Sequence, residues 1–104
     1  MSGFAPPRTQ QQVWAHWRAD VAPWHPLPEG FDCLAYLSTE AGEALDTGLR
    51  LKRPQDDRTN GHHRNLGREL AQIVDMAYAS AIRYGIDLDA ECETWRAEVM
   101  RRMP

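Results

Sequence analysis

The strongest constraint on the fold is the spacing of the apolar residues, which recur every three or four positions in four segments of the chain. Prolines and glycines separate these segments, and both residue types disfavour the interior of a helix. Strict alternation of apolar and polar residues, which is typical of a half-buried strand, does not occur in the sequence. The pattern therefore predicts an all-α fold.

We expect a bundle of two long and two shorter helices. A loose N-terminal tail at residues 1–8 precedes a single helical domain at residues 9–104. The second helix is predicted over about residues 31–52 and the third over about residues 65–84. The polar stretch at residues 54–61 contains an Asn-Gly pair and predicts a loop between them.

Local signals indicate where three helices begin or end. Thr9 and Gln12 have the spacing of a capping box at the start of the first helix. Gly85 is suited to end the third helix because a glycine tolerates the left-handed backbone that follows a helix. Asp87 is suited to cap the fourth helix with its carboxylate.

Charge and cysteine content restrict the class of protein. Twelve Lys and Arg against fifteen Asp and Glu give a net charge of −3, which argues against a partner that is a nucleic-acid polymer. No stretch approaches the roughly 20 apolar residues that cross a bilayer, and no secretory signal is visible. Cys33 and Cys92 lack a metal-binding spacing. We therefore expect a cytoplasmic protein with reduced thiols and no membrane partner.

Acidic residues on the two long helices are candidate metal ligands. Glu40 and Glu43 lie three positions apart on helix two, and Glu69 and Gln72 have the same spacing on helix three, so each pair projects from one side of its helix. Facing helices would present three carboxylates and one amide oxygen to a shared point. Clustered carboxylates repel unless a cation lies between them, and oxygen ligands favour Mg²⁺ or Mn²⁺. The alternative is a solvated acidic face.

The spacing and surroundings of these residues resemble the MazG-like all-α nucleoside triphosphate pyrophosphohydrolases. Glu40 and Glu43 match the ExxE motif of that family, and 25 residues separate them from a second motif, ExxD. Glu69 begins the second motif, and Gln72 stands where the family has aspartate. The Gly-Ile-Asp-Leu sequence at residues 85–88 follows at the family's spacing and fixes this register.

The resemblance implies a Mg²⁺-dependent enzyme, with Mn²⁺ as an alternative cofactor, that hydrolyses NTP or dNTP to the monophosphate and pyrophosphate. Its metal ligands would be Glu40, Glu43, Glu69 and Gln72. Glu40 or Glu43 would orient or deprotonate the attacking water. The related enzymes are oligomers, so the resemblance also implies a MazG-like bundle completed in a homodimer or homotetramer. Apolar residues outside the main stripe of helix three favour the same assembly.

Candidate substrate-binding residues lie at both ends of helix two. Arg50, Lys52 and Arg53 are expected to hold phosphates, although cations at a helix C-terminus also simply stabilise the helix dipole. Trp24 precedes the helix in a proline-rich segment and is a candidate for stacking on the base. His62 follows the polar stretch and is more typical of a solvated loop residue.

Gln72 leaves the activity open, because an amide oxygen ligates a hard cation without supplying charge. The chain is either an active hydrolase or a catalytically impaired protein of the same fold that binds a nucleotide or a protein partner. A third hypothesis is a helical module that only dimerises. Asp75, one turn further along helix three, is expected to face solvent rather than to join the metal site.

Overall fold

The computed structural model describes residues 9–21, 26–52 and 59–104. Within these ranges the four helices are α1 Gln10–Val21, α2 Gly30–Leu51, α3 Thr59–Tyr84 and α4 Leu88–Arg101. The described residues contain no strand, so the all-α prediction is confirmed. None of the described helices has the length and apolar character required to cross a membrane.

The helix-end signals of the sequence are confirmed. The backbone N–H of Thr9 donates to Gln12 Oε1 at 2.8 Å, and the Gln12 N–H donates to Thr9 Oγ1 at 3.2 Å, so the capping box is formed. Gly85 follows α3 with a φ of 66°. The carboxylate of Asp87 accepts a hydrogen bond from the N–H of Ala90 at 3.1 Å and caps α4. Contacts within three positions of sequence therefore set these boundaries.

The start of α3 differs from the sequence expectation. The helix begins at Thr59 rather than near residue 65, so residues 59–61 belong to a helix and not to a loop. His62 is 8% exposed and lies seven positions, or two turns, before Glu69, on the side of α3 that contacts α2. Packing against α2 thus overrides the weak helix propensity of this polar stretch.

Helices α2 and α3 form an antiparallel pair. Thr47 contacts Glu69, and Arg83 near the other end of α3 reaches the carbonyl of Pro28 just before α2. The residues shielded between the two helices repeat at alternating intervals of three and four positions, as in coiled-coil packing. We call them the seam: Cys33, Leu37, Glu40, Ala44 and Thr47 of α2, and His62, Leu66, Glu69, Ile73, Met76 and Ser80 of α3.

The apolar core of the described chain is small. Cys33, Met76 and Ala79 form its centre, with Leu27 and Leu37 packed against them. Trp17 and Trp95 recur with the apolar stripes of their helices, a spacing that predicts core positions, but they are largely exposed, at 42% and 56%. The helix pair consequently depends on polar contacts within the seam as well as on apolar burial.

Asp89 joins α1, α3 and α4. Its carboxylate accepts a hydrogen bond from the N–H of Gln11 at 2.9 Å and one from the hydroxyl of Tyr78 at 2.8 Å. The Gln11 side chain donates to the carbonyl of Ile86 at 2.6 Å, and Trp14 stacks on Tyr78 with ring centroids 6.0 Å apart. Burial, followed by the bond to Asp89, raises the pKa of Tyr78 to about 12.

We predict that Asp89→Asn lowers the melting temperature at neutral pH. The N–H of Gln11, and then the hydroxyl of Tyr78, hold the pKa of Asp89 below its ordinary value. The stabilisation is therefore present above that ordinary value and is lost as the pH falls through the lowered pKa. Thermal unfolding followed by circular dichroism should show a difference from wild type that diminishes as the pH falls below the ordinary pKa of an aspartate.

The matched control is Glu93→Gln, which neutralises an exposed carboxylate of α4 and should leave the melting temperature unchanged. A difference between Asp89→Asn and wild type that stays constant across the acid range would contradict this account of Asp89.

Candidate functional site

An open cavity of about 740 Å³ lies between the C-terminal half of α2 and the N-terminal half of α3. This volume is within the range of small-molecule sites. We call it the acidic cavity, because three carboxylates line it. Its residues are Thr39, Gly42, Glu43, Asp46, Thr47, Arg50, Gly61, His62, Asn65 and Glu69.

Glu69 is held in the wall of the acidic cavity by Thr47. The Thr47 hydroxyl lies 2.8 and 3.1 Å from the two carboxylate oxygens of Glu69 and donates to that carboxylate. Both residues belong to the seam, so the bond links the two helices that form the cavity. The orientation of Glu69 is thereby fixed by a partner on the facing helix.

Asp46 and Arg50 form an exposed ion pair at the edge of the acidic cavity, with Oδ2 and Nη2 3.1 Å apart. Their side chains are 62% and 51% exposed, so solvent weakens the attraction. Arg50 therefore loses little when it exchanges this partner for another anion. Lys52 is exposed beyond the end of α2 and does not line the cavity. Arg53 and Trp24 lie outside the described residues.

Glu40 does not line the acidic cavity and lies in the seam beside it. Its Oε2 atom is buried and has no hydrogen-bond partner among the described residues. Burial raises the pKa of Glu40, and the nearby carboxylates of Asp75 and Glu43 raise it further, while Arg18 opposes them. The Glu40 carboxylate is thus poorly accessible from the acidic cavity.

Asp75 was expected to face solvent, and that expectation is wrong. Its side chain is only 17% exposed and pairs with Arg18 of α1, which is 4% exposed. Arg18 donates through Nε to Oδ1 at 3.2 Å and through Nη2 to Oδ2 at 2.6 Å. This two-bond geometry is the strong form of an Arg–carboxylate pair, and it ties Asp75 to α1.

Gln72 lines a different cavity, of about 410 Å³, between α1 and α3. We call it the indole cavity after two tryptophans in its wall. Its residues are Val13, Trp14, Trp17, Arg68, Ala71, Gln72 and Asp75. The structure therefore brings Glu43 and Glu69 together in the acidic cavity, but it places Gln72 elsewhere on α3.

Carboxylate, hydroxyl and amide oxygens line the acidic cavity and fit a hard divalent cation, while His62 and Arg50 add nitrogen atoms to its wall. Among the described residues, no group of three or more His, Cys, Asp or Glu side chains is arranged to hold one metal ion. Mg²⁺ commonly takes one or two carboxylates from the protein and its other ligands from substrate phosphates and water. Glu43 and Glu69 fit that mode of binding.

Thr47 and Asn65 line the acidic cavity but belong to neither sequence motif. Thr47 follows Glu40 by seven positions, so the alternating three- and four-residue spacing would have placed it opposite α3. Asn65 carries no comparable signal, because it lies beside the seam at the predicted start of a helix.

Comparison of the chain with protein-family profiles, curated proteins and solved structures finds no match. The resemblance to the MazG-like enzymes therefore stays a prediction. The candidate site is defined by the residues that line the acidic cavity and by their chemistry.

We predict that Arg18→Met destabilises the fold by about 3 kcal/mol, because it leaves the carboxylate of Asp75 without its partner in a poorly solvated position. Urea unfolding measures the loss of free energy. The matched variant Arg50→Met removes an arginine from an exposed ion pair and should cost less than about 1 kcal/mol. Equal costs for the two variants would show that the Arg18 pair is not a buried interaction.

Proposed function

We propose that the acidic cavity is the active site of a Mg²⁺-dependent hydrolase that cleaves a nucleoside triphosphate to the monophosphate and pyrophosphate. The observation that carries the proposal is that Glu43 and Glu69, one from each motif, line one open cavity together with Arg50. The reaction class comes from the resemblance of those motifs to the MazG-like enzymes. The cavity volume and its oxygen donors are compatible with a phosphate-bound metal.

In this proposal Glu43 and Glu69 hold the cation, which neutralises charge on the phosphate oxygens when bound. Glu69 is oriented for this role by the hydroxyl of Thr47. Arg50 gives up its exposed pairing with Asp46 and donates to a phosphate oxygen, to which a guanidinium binds strongly.

Glu43 is the better candidate than Glu40 for activating water. Its carboxylate is exposed in the cavity and makes no hydrogen bond or ion pair with the described residues, whereas Glu40 is shielded in the seam. Glu43 would accept a proton from the water while the oxygen of that water forms a bond to the α-phosphorus. The bond from that phosphorus to the bridging oxygen breaks, and pyrophosphate leaves with the bond's electrons.

We predict that Glu43→Gln and Glu69→Gln each reduce turnover about a hundred-fold or more. Each substitution removes a negative charge that would bind the metal, and Glu43→Gln also removes the base that accepts the proton of water. Pyrophosphate release from a panel of NTPs and dNTPs, with Mg²⁺ or Mn²⁺, measures the effect. Glu91→Gln on α4 is the control and should keep wild-type turnover. Circular dichroism should show unchanged helix content in all three variants. Wild-type activity in Glu43→Gln would refute the assignment.

Nucleotide binding without turnover is the second candidate function. It is favoured by the position of Gln72, since the residue that aligns with the aspartate of the second motif lines the indole cavity rather than the acidic one. A triphosphate that raises the melting temperature in the presence of Mg²⁺, without release of pyrophosphate from any substrate in the panel, would establish this function instead.

We also propose that the chain is completed as a homo-oligomer, with a dimer as the minimum. On the flank of the seam away from the acidic cavity, α2 and α3 carry an uncharged surface that we call the apolar face: Leu34, Ala41, Leu45, Leu70, Val74 and Ala77. Leu45 is 66% exposed and Leu70 is 51% exposed. Contiguous exposed surface of this kind is typical of protein interfaces.

We predict that Leu45→Lys dissociates the oligomer, because it places a charge in the apolar face. Sedimentation velocity at micromolar concentration measures the mass. Tyr36→Lys is the matched control, since Tyr36 is exposed on α2 outside the apolar face, and this variant should sediment as the wild type does. A monomeric wild-type protein under these conditions would contradict the proposal.

A further inference from the structure

The indole cavity is separate from the acidic cavity but adjoins it along α3. Gln72 lines the first and Glu69 lines the second, and the two residues are three positions apart. Less than one turn of α3 therefore separates the two cavities, and a single ligand could occupy both.

The two tryptophans of the indole cavity are held in fixed orientations. Trp14 stacks on Tyr78, and its ring lies edge-to-face with that of Trp17 at 5.7 Å between centroids and 86° between planes. The guanidinium of Arg18 lies 5.4 Å from the centre of the Trp17 ring. Trp17 nevertheless remains 42% exposed. The cavity thus presents ordered aromatic walls that suit a planar ring.

The polar groups of the indole cavity lie on α3. Asp75 is occupied by its two bonds to Arg18. The side chains of Gln72 and Arg68 are exposed and make no hydrogen bond or ion pair with the described residues. Gln72 offers one acceptor and one donor side by side, and Arg68 offers donors only. Both side chains are therefore available to a ligand.

We propose that the indole cavity binds the base of a nucleoside, with adenine as its best ligand. A glutamine amide matches the adjacent donor and acceptor of adenine, and stacking on indole stabilises any base. This inference rests on the proposed function only in making the nucleoside part of the same substrate. It also gives Gln72 a role other than that of a metal ligand: Gln72 reads the base while Glu69, one turn before, faces the triphosphate.

The test uses nucleosides without phosphate and without metal, so that the acidic cavity does not contribute. Titration of the full chain with adenosine, guanosine, cytidine and uridine is followed by tryptophan fluorescence and calorimetry. Adenosine should quench the fluorescence and bind most tightly, and ribose alone should do neither. Gln72→Glu should weaken adenosine binding about ten-fold, because the amide donor is lost.

Trp17→Leu and Trp95→Leu are a matched pair, since both remove an exposed indole and only Trp17 lines the cavity. Trp17→Leu should abolish adenosine binding, and Trp95→Leu should leave the affinity unchanged. The inference is overturned if no nucleoside binds, if Trp17→Leu retains the wild-type affinity, or if Trp17→Leu changes the oligomeric mass, which would show that a second copy covers the cavity.

The two proposals fail in different ways. Adenosine binding that depends on Trp17, together with an absence of pyrophosphate release, supports the base site and refutes the hydrolase. Triphosphate turnover that is unaffected by Trp17→Leu and Gln72→Glu supports the hydrolase and overturns the base site.

Discussion

The packing of α2 against α3 along the seam positions every residue of the acidic cavity. Its alternating three- and four-residue spacing is that of two helices in close contact, but it includes Glu40, Thr47 and Glu69 where a purely structural pair would carry apolar residues. Burying a carboxylate is costly unless it is paired or hydrogen-bonded. Thr47 offsets this cost for Glu69, while Glu40 responds with a raised pKa. Such polar interior positions are typical of functional sites.

The same packing decides which acidic residues of α3 contact α1 and which face the acidic cavity. Arg18 is buried against α3 and takes Asp75 as its partner, so that carboxylate is unavailable to the acidic cavity. Glu43 and Glu69 remain there with Arg50. Helix α3 therefore lines both cavities: Glu69 lies on the side toward α2, and Gln72 lies on the side toward the aromatic residues of α1. The proposed hydrolase and its base site both depend on this arrangement.

The sequence was informative where the responsible contact is local. The capping box of Thr9 and the cap of Asp87 each involve partners three positions away, and both are correctly predicted. The environment of Asp75 and the exposure of Trp17 are not correctly predicted, because both depend on how α1 packs against α3. The early start of α3 is a similar case, in which packing with α2 outweighs local propensity. For the candidate site, helical spacing and the assumption of facing helices predicted that Glu40, Glu43, Glu69 and Gln72 share one point. Glu43 and Glu69 line one cavity, whereas Glu40 and Gln72 do not line it, and that separation depends on how the helices pack.

The most direct test of the acidic cavity is the paramagnetic broadening of backbone amide signals by Mn²⁺ in the presence of a triphosphate analogue with a non-hydrolysable α,β bridge. Gly42 and Gly61 line the cavity, whereas Gly30 and Gly85 lie at the far ends of α2 and α3. Paramagnetic broadening falls steeply with distance from the ion. A metal-bound nucleotide in the acidic cavity predicts selective loss of the Gly42 and Gly61 signals while those of Gly30 and Gly85 persist. Uniform broadening, or broadening strongest at Gly30 or Gly85, would contradict it.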